Sequence, residues 1–233
     1  VVVFIHDLIP IQFPEYSHPR EKALHERRLD HTLRHSHGII VNSRCTESAL
    51  RSYAERAGHT PPPILVAPLG HDFPTKSSSP LPLSIRGSYF VVLGTIEPRK
   101  NIGFLLDLWG EMDSKAPGLF ICGSRGWGCE DVFGRLDAGV ANVTELAGLS
   151  DPALSALLSG ASALLFPSLA EGFGLPPVEA AALGVPVIAN DLPSLREILG
   201  NRAVYLDVSN PYSWIEAIKA HEQSPPERDS QAF

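Results

Sequence analysis

Residues 163–190 read ALLFPSLAEGFGLPPVEAAALGVPVIAN, and few folds accept that order. The run 163–166 is short, continuous and apolar, as a strand buried on both faces of a parallel sheet must be. Gly172 and Gly174 then supply a loop that can turn sharply and come close to a ligand. Pro176 and Pro177 suit the first turn of a helix, where a missing N–H costs little. That helix carries Glu179 and three alanines, stops at Gly184, and leads into a second strand over 185–189. Strand, glycine loop, helix and strand form a unit whose helix N-terminus offers free N–H groups and a positive dipole end to an anion.

Two carboxylates, Glu171 and Glu179, bracket that N-terminus. Carboxylates accept from hydroxyls and N–H groups donate to phosphate, so a ligand carrying both, such as a nucleotide sugar, suits the pattern. A capped helix with both glutamates solvated suits it equally, and spacing alone does not choose.

The rest of the chain repeats the alternation. Strands are expected at 89–94, 119–122, 143–147, 163–166, 185–189 and 203–206, with helices at 101–109, 126–137, 151–159, 176–183, 193–199 and 211–221. Six strands alternating with helices predict a doubly wound, parallel, Rossmann-like sheet, whose ligands bind beyond the carboxyl ends of the strands. Upstream, residues 1–70 offer only three strands (1–5, 38–42 and 64–67), a polar helix over 18–36 and a helix capped by Ser43. They predict a partial second domain, 1–70, joined by a Ser- and Pro-rich linker, 71–87, to the larger domain, 88–233. The chain opens inside an apolar run and reads as the remainder of a longer, N-terminally truncated one.

Composition narrows the function. With 26 Asp and Glu against 19 Lys and Arg, the net charge is −7, which argues against a nucleic-acid partner. Cys45, Cys122 and Cys129 lack zinc spacing and read as thiols of a reducing compartment. His31 and His35 share a helix face but have no third metal ligand in the pattern. Arg20, Lys22, Arg27, Arg28 and Arg34 could touch an anionic lipid surface, although Glu21, Glu26 and Asp30 are interleaved and favour a solvated face.

The central segment resembles the E-x7-E signature of the family-four retaining glycosyltransferases of GT-B fold. The likeness runs through PSLAEGFGLPPVEAAALGVPVIANDLPSLREILGNRAVYLD. It implies that Glu171 contacts sugar hydroxyls, that the N–H groups of Gly172, Phe173, Gly174 and Leu175 lie near sugar and phosphate, and that Glu179 holds the ribose. After the strand ending at Gly94, EPRKN places Arg99 and Lys100 where the family keeps a basic pair on the donor diphosphate. The usual arginine place holds Thr95, so Lys100 is the firmer match. Gly123 closes the next strand, followed by Ser124, Arg125 and a tryptophan loop like that of mannosyltransferase-like members. HDLIP sets His6 where the family has a histidine facing the donor sugar.

The resemblance implies hexosyl transfer with retention, from a nucleoside-diphosphate sugar to a saccharide or lipid-linked acceptor. GDP-mannose is the favoured donor, no metal or other cofactor takes part, and the setting is cytoplasmic at the inner face of a membrane. Two other readings stay open: an enzyme of this fold that remodels a nucleotide sugar, such as an epimerase, and a nucleotide-binding fragment without catalysis. The family's N-terminal glycine-rich loop has no counterpart before His6, which favours the last.

Overall fold

A computed structural model describes residues 1–70, 85, 87–112 and 116–223. Most of the expected linker at 71–87, and the tail at 224–233, therefore lie outside the described residues. In chain order the elements are β1 (Val2–Ile5), α1 (Ile9–Gln12), α2 (Glu21–His35), β2 (Gly38–Val41), α3 (Arg44–Arg56) and β3 (Ile64–Val66). Then follow β4 (Tyr89–Leu93), α4 (Ile102–Glu111), β5 (Gly118–Cys122), α5 (Glu130–Ala138), β6 (Val143–Leu146), α6 (Asp151–Gly160) and β7 (Ala163–Phe166). The chain continues through α7 (Leu175–Ala182), β8 (Val187–Asn190), α8 (Pro193–Leu199), β9 (Ala203–Leu206) and α9 (Pro211–Gln223). Among the described residues, no helix is long and apolar enough to cross a membrane.

The chain forms two compact units. The first comprises Val1–Gly70 with two later stretches, Ala170–Leu175 and Leu192–Gly200; the second holds His71–Leu169, Pro176–Asp191 and Asn201–Phe233.

In the first unit β1, β2 and β3 make a three-stranded parallel sheet in that order. Its inner face sets Ile5, Ile39 and Val41 against Leu29 and Leu33 of α2 and Leu50 and Tyr53 of α3. The start of α3 is fully capped. Ser43 Oγ accepts from Thr46 N at 3.1 Å, and the Glu197 carboxylate of α8 accepts from Arg44 N at 2.6 Å and Cys45 N at 3.0 Å. The segment after His6 forms α1 and a 3-10 turn, Pro14–Tyr16. Pro10 and Pro14 both fall in first turns, where proline's missing N–H does no harm.

In the second unit six parallel strands lie in the order β6-β5-β4-β7-β8-β9. Renumbered from β4, this is the doubly wound order 3-2-1-4-5-6, whose direction of winding reverses between β4 and β7. Every residue of β4 and β7 is buried, which is why those segments read as unbroken apolar runs. The core includes Phe90, Leu105, Leu106, Trp109, Ile121 and Trp214. The two tryptophans satisfy their indole N–H groups on Pro117 O at 2.9 Å and Asp207 O at 3.3 Å. The largest boundary difference in this unit is at α5, which begins at Glu130, not near 126, because Gly126 to Gly128 form a loop with Gly128 at φ 65°.

Candidate functional site

The winding reversal leaves a gap above the carboxyl ends of β4 and β7, where ligands of doubly wound sheets bind. Leaving β4, the chain passes Gly94 and makes a 3-10 turn, Pro98–Lys100, before α4. Gly94 has φ 132° and lies against the lysine stem: a Cβ there would meet Lys100 Cε at 3.2 Å. Lys100 is 8% exposed, and its Nζ stands 4.8 Å from the centroid of the Phe166 ring at the end of β7. A cation in this place is not a surface charge. Arg99 behaves differently, since its Nε pairs with Glu97 Oε1 at 2.8 Å, so the two adjacent cations diverge.

Hydrogen bonds stitch the loops leaving the two strands together. Leu169 N donates to Arg99 O at 2.7 Å, and Asn101 Nδ2 to Pro167 O at 3.4 Å. Asn101 takes the left-handed conformation, φ 54°, which turns the chain from the lysine into α4. Nearby, Asn190 Nδ2 donates to Ser168 O at 2.9 Å, while the buried Ser168 hydroxyl has no hydrogen-bond partner among the described residues. Sequence reasoning missed this orphan hydroxyl at the edge of β7, because PSLA carries no signal of a serine shut away from water.

Gly123, at the end of β5, permits a close backbone approach between the ends of β4 and β5. A Cβ there would run into the Gly94 carbonyl. Beyond it, Ile96 N donates to Ser124 O at 2.9 Å and Gly126 N to Ile96 O at 3.0 Å, prolonging the β4–β5 pairing past the strands. Arg125, in the loop after β5, is bound to Glu145 and Asp137, each at 2.7 Å. Those hydrogen bonds, Glu145 first, hold its guanidinium charged and pull the Asp137 carboxyl below its ordinary range. Burial pushes the Cys122 thiol up to about 12 and raises Cys129 as well, so neither is a nucleophile near neutral pH. Glu179 lies half-buried on α7, in the second unit.

The remaining candidates sit in the first unit. The glycine loop Ala170–Leu175 belongs there, tied to the carboxyl ends of β1 and β2. Ser43 Oγ, besides capping α3, donates to Gly172 O at 2.8 Å. A Cβ on Gly172 would come within 2.5 Å of His6 O and 2.8 Å of Asp7 Cβ, so only glycine fits. Thr46 Oγ1 reaches His6 O at 3.3 Å, binding the same corner from the side of α3. His6 itself is exposed, its ring 4.6 Å from that of Phe4. Glu171 is half-buried, Phe173 is buried, and Gly174 has φ 88°. Leu175 opens α7, but Pro176 and Pro177 offer no N–H, so the amides available to an anion are those of Phe173, Gly174 and Leu175.

The candidates therefore form two groups. Gly94, Arg99, Lys100 and Gly123 cluster at one strand edge of the second unit, with Glu179 on its α7. His6 and the loop from Glu171 to Leu175 make a corner of the first. Among the described residues, no three His, Cys, Asp or Glu side chains converge as a metal ion would need.

The family described as "Glycosyl transferases group 1" matches residues 80–232. The O-antigen chain mannosyltransferase RfbU of Salmonella typhimurium is 35% identical over 142 residues, covering 59% of this chain and 39% of that protein. The O-antigen chain mannosyltransferase B of Escherichia coli is 29% identical over 233 residues, 94% of this chain and 59% of that one. The chain thus spans between about two fifths and three fifths of the length of these two curated relatives. Among solved structures, Anabaena HepE in complex with UDP and glucose superposes with a TM-score of 0.76 at 19% identity, covering 98% of this chain and 65% of that one. That likeness concerns the fold, which is α/β of the GT-B type.

Proposed function

The chain belongs to the group 1 glycosyl transferases, and on that premise we propose that it takes part in moving a hexose from a nucleoside-diphosphate sugar to a saccharide or lipid-linked acceptor. Mannose from GDP-mannose is the favoured case, supported by relatives named as mannosyltransferases. Transfer proceeds with retention, in the cytoplasm and at the inner face of the membrane.

The observation that carries this reading is Lys100, buried between Gly94 and Phe166 where the winding of the sheet reverses. In sugar transfer positive charge grows on the ring and negative charge on the departing diphosphate. A cation fixed in a site of low dielectric stabilises that leaving charge without reorganising as it forms. Lys100 serves as this point charge. Arg99 adds a second cation whose direction Glu97 sets, Gly94 leaves room for the lysine stem beside the diphosphate, and Gly123 lets the β4 and β5 ends close up beneath it. The amides of Phe173, Gly174 and Leu175 donate to sugar and phosphate, Glu171 accepts from sugar hydroxyls, and Glu179 accepts from the ribose. His6 supplies a donor, or carries a proton, on the sugar side. No carboxylate acts as a covalent nucleophile, unlike the paired carboxylates of retaining glycosidases. Because cations and amides neutralise the diphosphate, the proposal includes no metal and no further cofactor.

Calorimetric titration of the 233-residue chain with GDP, UDP and guanosine tests the donor half. Binding of a diphosphate well above that of the nucleoside is expected; no heat with either diphosphate would overturn the reading. Incubating GDP-mannose with and without a saccharide acceptor tests the chemistry. Sugar on the acceptor supports transfer, an altered sugar nucleotide without acceptor marks an epimerase-like enzyme, and binding without turnover marks a nucleotide-binding piece.

A further inference from the structure

Outside the core, the side chains of α3 fall into two rows. Glu47 and Arg51 belong to one and satisfy each other, Arg51 Nη2 donating to Glu47 Oε1 at 2.7 Å. Cys45, Ser48, Ala49, Ser52 and Arg56 make the other, which helical spacing sets along one face. That face is one wall of an open groove within the first unit. Gln12, at the end of α1, and Pro193, at the start of α8, complete the lining around about 390 Å³ of space. Glu197 holds the α8 side in place by accepting from the first amides of α3.

The lining carries one charge beside several unclaimed hydrogen-bonding groups. The side chains of Gln12, Ser48, Ser52 and Arg56 have no hydrogen-bond or ion-pair partner among the described residues. Among the described residues, no carboxylate lines the groove. Glu197, next to Cys45, is already occupied: it accepts from Arg44 N at 2.6 Å, from Cys45 N at 3.0 Å and from the Cys45 thiol. The dipole of α3 favours a cation in the last turn, where Arg56 stands. It does not account for the row of hydroxyls that leads to that cation.

We propose that this groove binds a saccharide carrying one anionic group, a phosphate monoester or a carboxylate. Arg56 grips the anion through its planar fork. Ser48 and Ser52, one turn apart with roughly 5–6 Å between Cβ atoms, reach two hydroxyls of the same sugar ring. Gln12 adds a donor and an acceptor from α1. Ala49 and Pro193 are small and apolar, which suits the C–H face of the ring. A nucleobase finds no aromatic surface in this lining, and a lipid chain finds no continuous apolar one. The space lies at the small end of the range for ligand sites, ~300–1,000 Å³. The choice of a saccharide over other hydroxyl-bearing anions rests on the glycosyl transfer proposed above; one anion beside several hydroxyls is the groove's own requirement.

The test is titration of the full chain with four probes, followed by NMR shifts of backbone amides and arginine side chains. The probes are mannose, mannose phosphorylated on its primary hydroxyl, mannuronate and inorganic phosphate. An anionic sugar should shift the Arg56 guanidinium and the Ser48 and Ser52 amides in one saturating process, and the tighter of the two names the anion. Charge-assisted bonds to Arg56 should favour it over mannose by about tenfold. Arg56→Gln should erase that preference, and Ser48→Ala/Ser52→Ala should weaken the anionic sugars but not inorganic phosphate. Arg51→Gln, on the same helix but paired with Glu47, should titrate as the parent does. Alanine and glutamine both favour helix, and unchanged circular dichroism spectra confirm that the variants fold. No saturable shift, mannose or inorganic phosphate binding as tightly as the anionic sugars, or Arg56→Gln keeping the preference would each overturn the proposal. GDP titration separates the two readings. Loss of anionic sugar with GDP binding intact in Arg56→Gln belongs to this groove, whereas a parent that takes anionic sugar but no GDP fails the donor reading alone.

Discussion

Lys100→Met removes one charge while keeping an unbranched stem in a place where little else fits. The lysine is 8% exposed, its Nζ is 4.8 Å from the Phe166 centroid, and its Cε lies 3.2 Å from where a Cβ on Gly94 would stand. Methionine fills that channel and loses only the ammonium group. If the ammonium meets the diphosphate, the lost charge-assisted hydrogen bond is worth about 1.5–3 kcal/mol, or roughly 10- to 150-fold in dissociation constant. Guanosine lacks the diphosphate and should bind both proteins within about twofold, well inside the scatter of a near-neutral surface change. Gly94→Ala attacks the same contact from the other side. It presses a methyl onto the lysine stem at a φ of 132° and should weaken GDP without altering charge. Isothermal titration with GDP and guanosine reads both variants. Should the parent prefer GDP to guanosine while Lys100→Met keeps that preference undiminished, Lys100 is packing and the argument from its burial fails.

Other expectations rest on separate contacts. Glu179→Gln should weaken GDP and GDP-sugar alike, whereas Glu171→Gln should spare GDP and lower turnover; equal effects on GDP binding would sink the division of roles. Gly172→Ala should destabilise the first unit by about 1–3 kcal/mol in urea titration, since its methyl meets backbone at His6; an unchanged midpoint would show that the corner yields. Ser168→Ala should leave the free protein as stable or slightly more so, because it removes a buried hydroxyl with no partner among the described residues, and a clear loss of thermal midpoint would contradict that. The folded Cys122 thiol is raised to about 12, above its unfolded value, so its contribution to stability is complete below the unfolded pKa and fades as pH climbs toward 12. Cys122→Ala should flatten that alkaline decline in denaturant titrations, and an identical slope would refute it.

The alternation of strands and helices was legible because it is written locally. Strands such as β4 and β7, buried on both faces, must be apolar at every position, and helices such as α7, α8 and α9 announce themselves by prolines in their first turns. Ser43 could be read as a cap for the same reason. Its second bond, to Gly172 across 129 residues of sequence, has no local trace, and neither does the membership of the glycine loop in the first unit. Adjacency also leaves one partner unannounced: Arg99 and Lys100 are neighbours in sequence, and a glutamate two residues before the arginine pairs with it.

The Glu197 cap on α3 has a consequence in time. A ribosome finishes residues 1–70 long before it adds Ala170–Leu175 and Leu192–Gly200, the other stretches of the first unit. At about 5–20 residues per second, the emerging segment waits on the order of 6–25 s for the carboxylate that accepts Arg44 N and Cys45 N. Until then the Arg44 and Cys45 amides have only water, and the corner at His6 has no glycine loop to close it. Residues 1–70 are therefore completed only when the later stretches of their unit arrive, and a stall in translation between residues 70 and 197 would leave them open to chaperones and proteases.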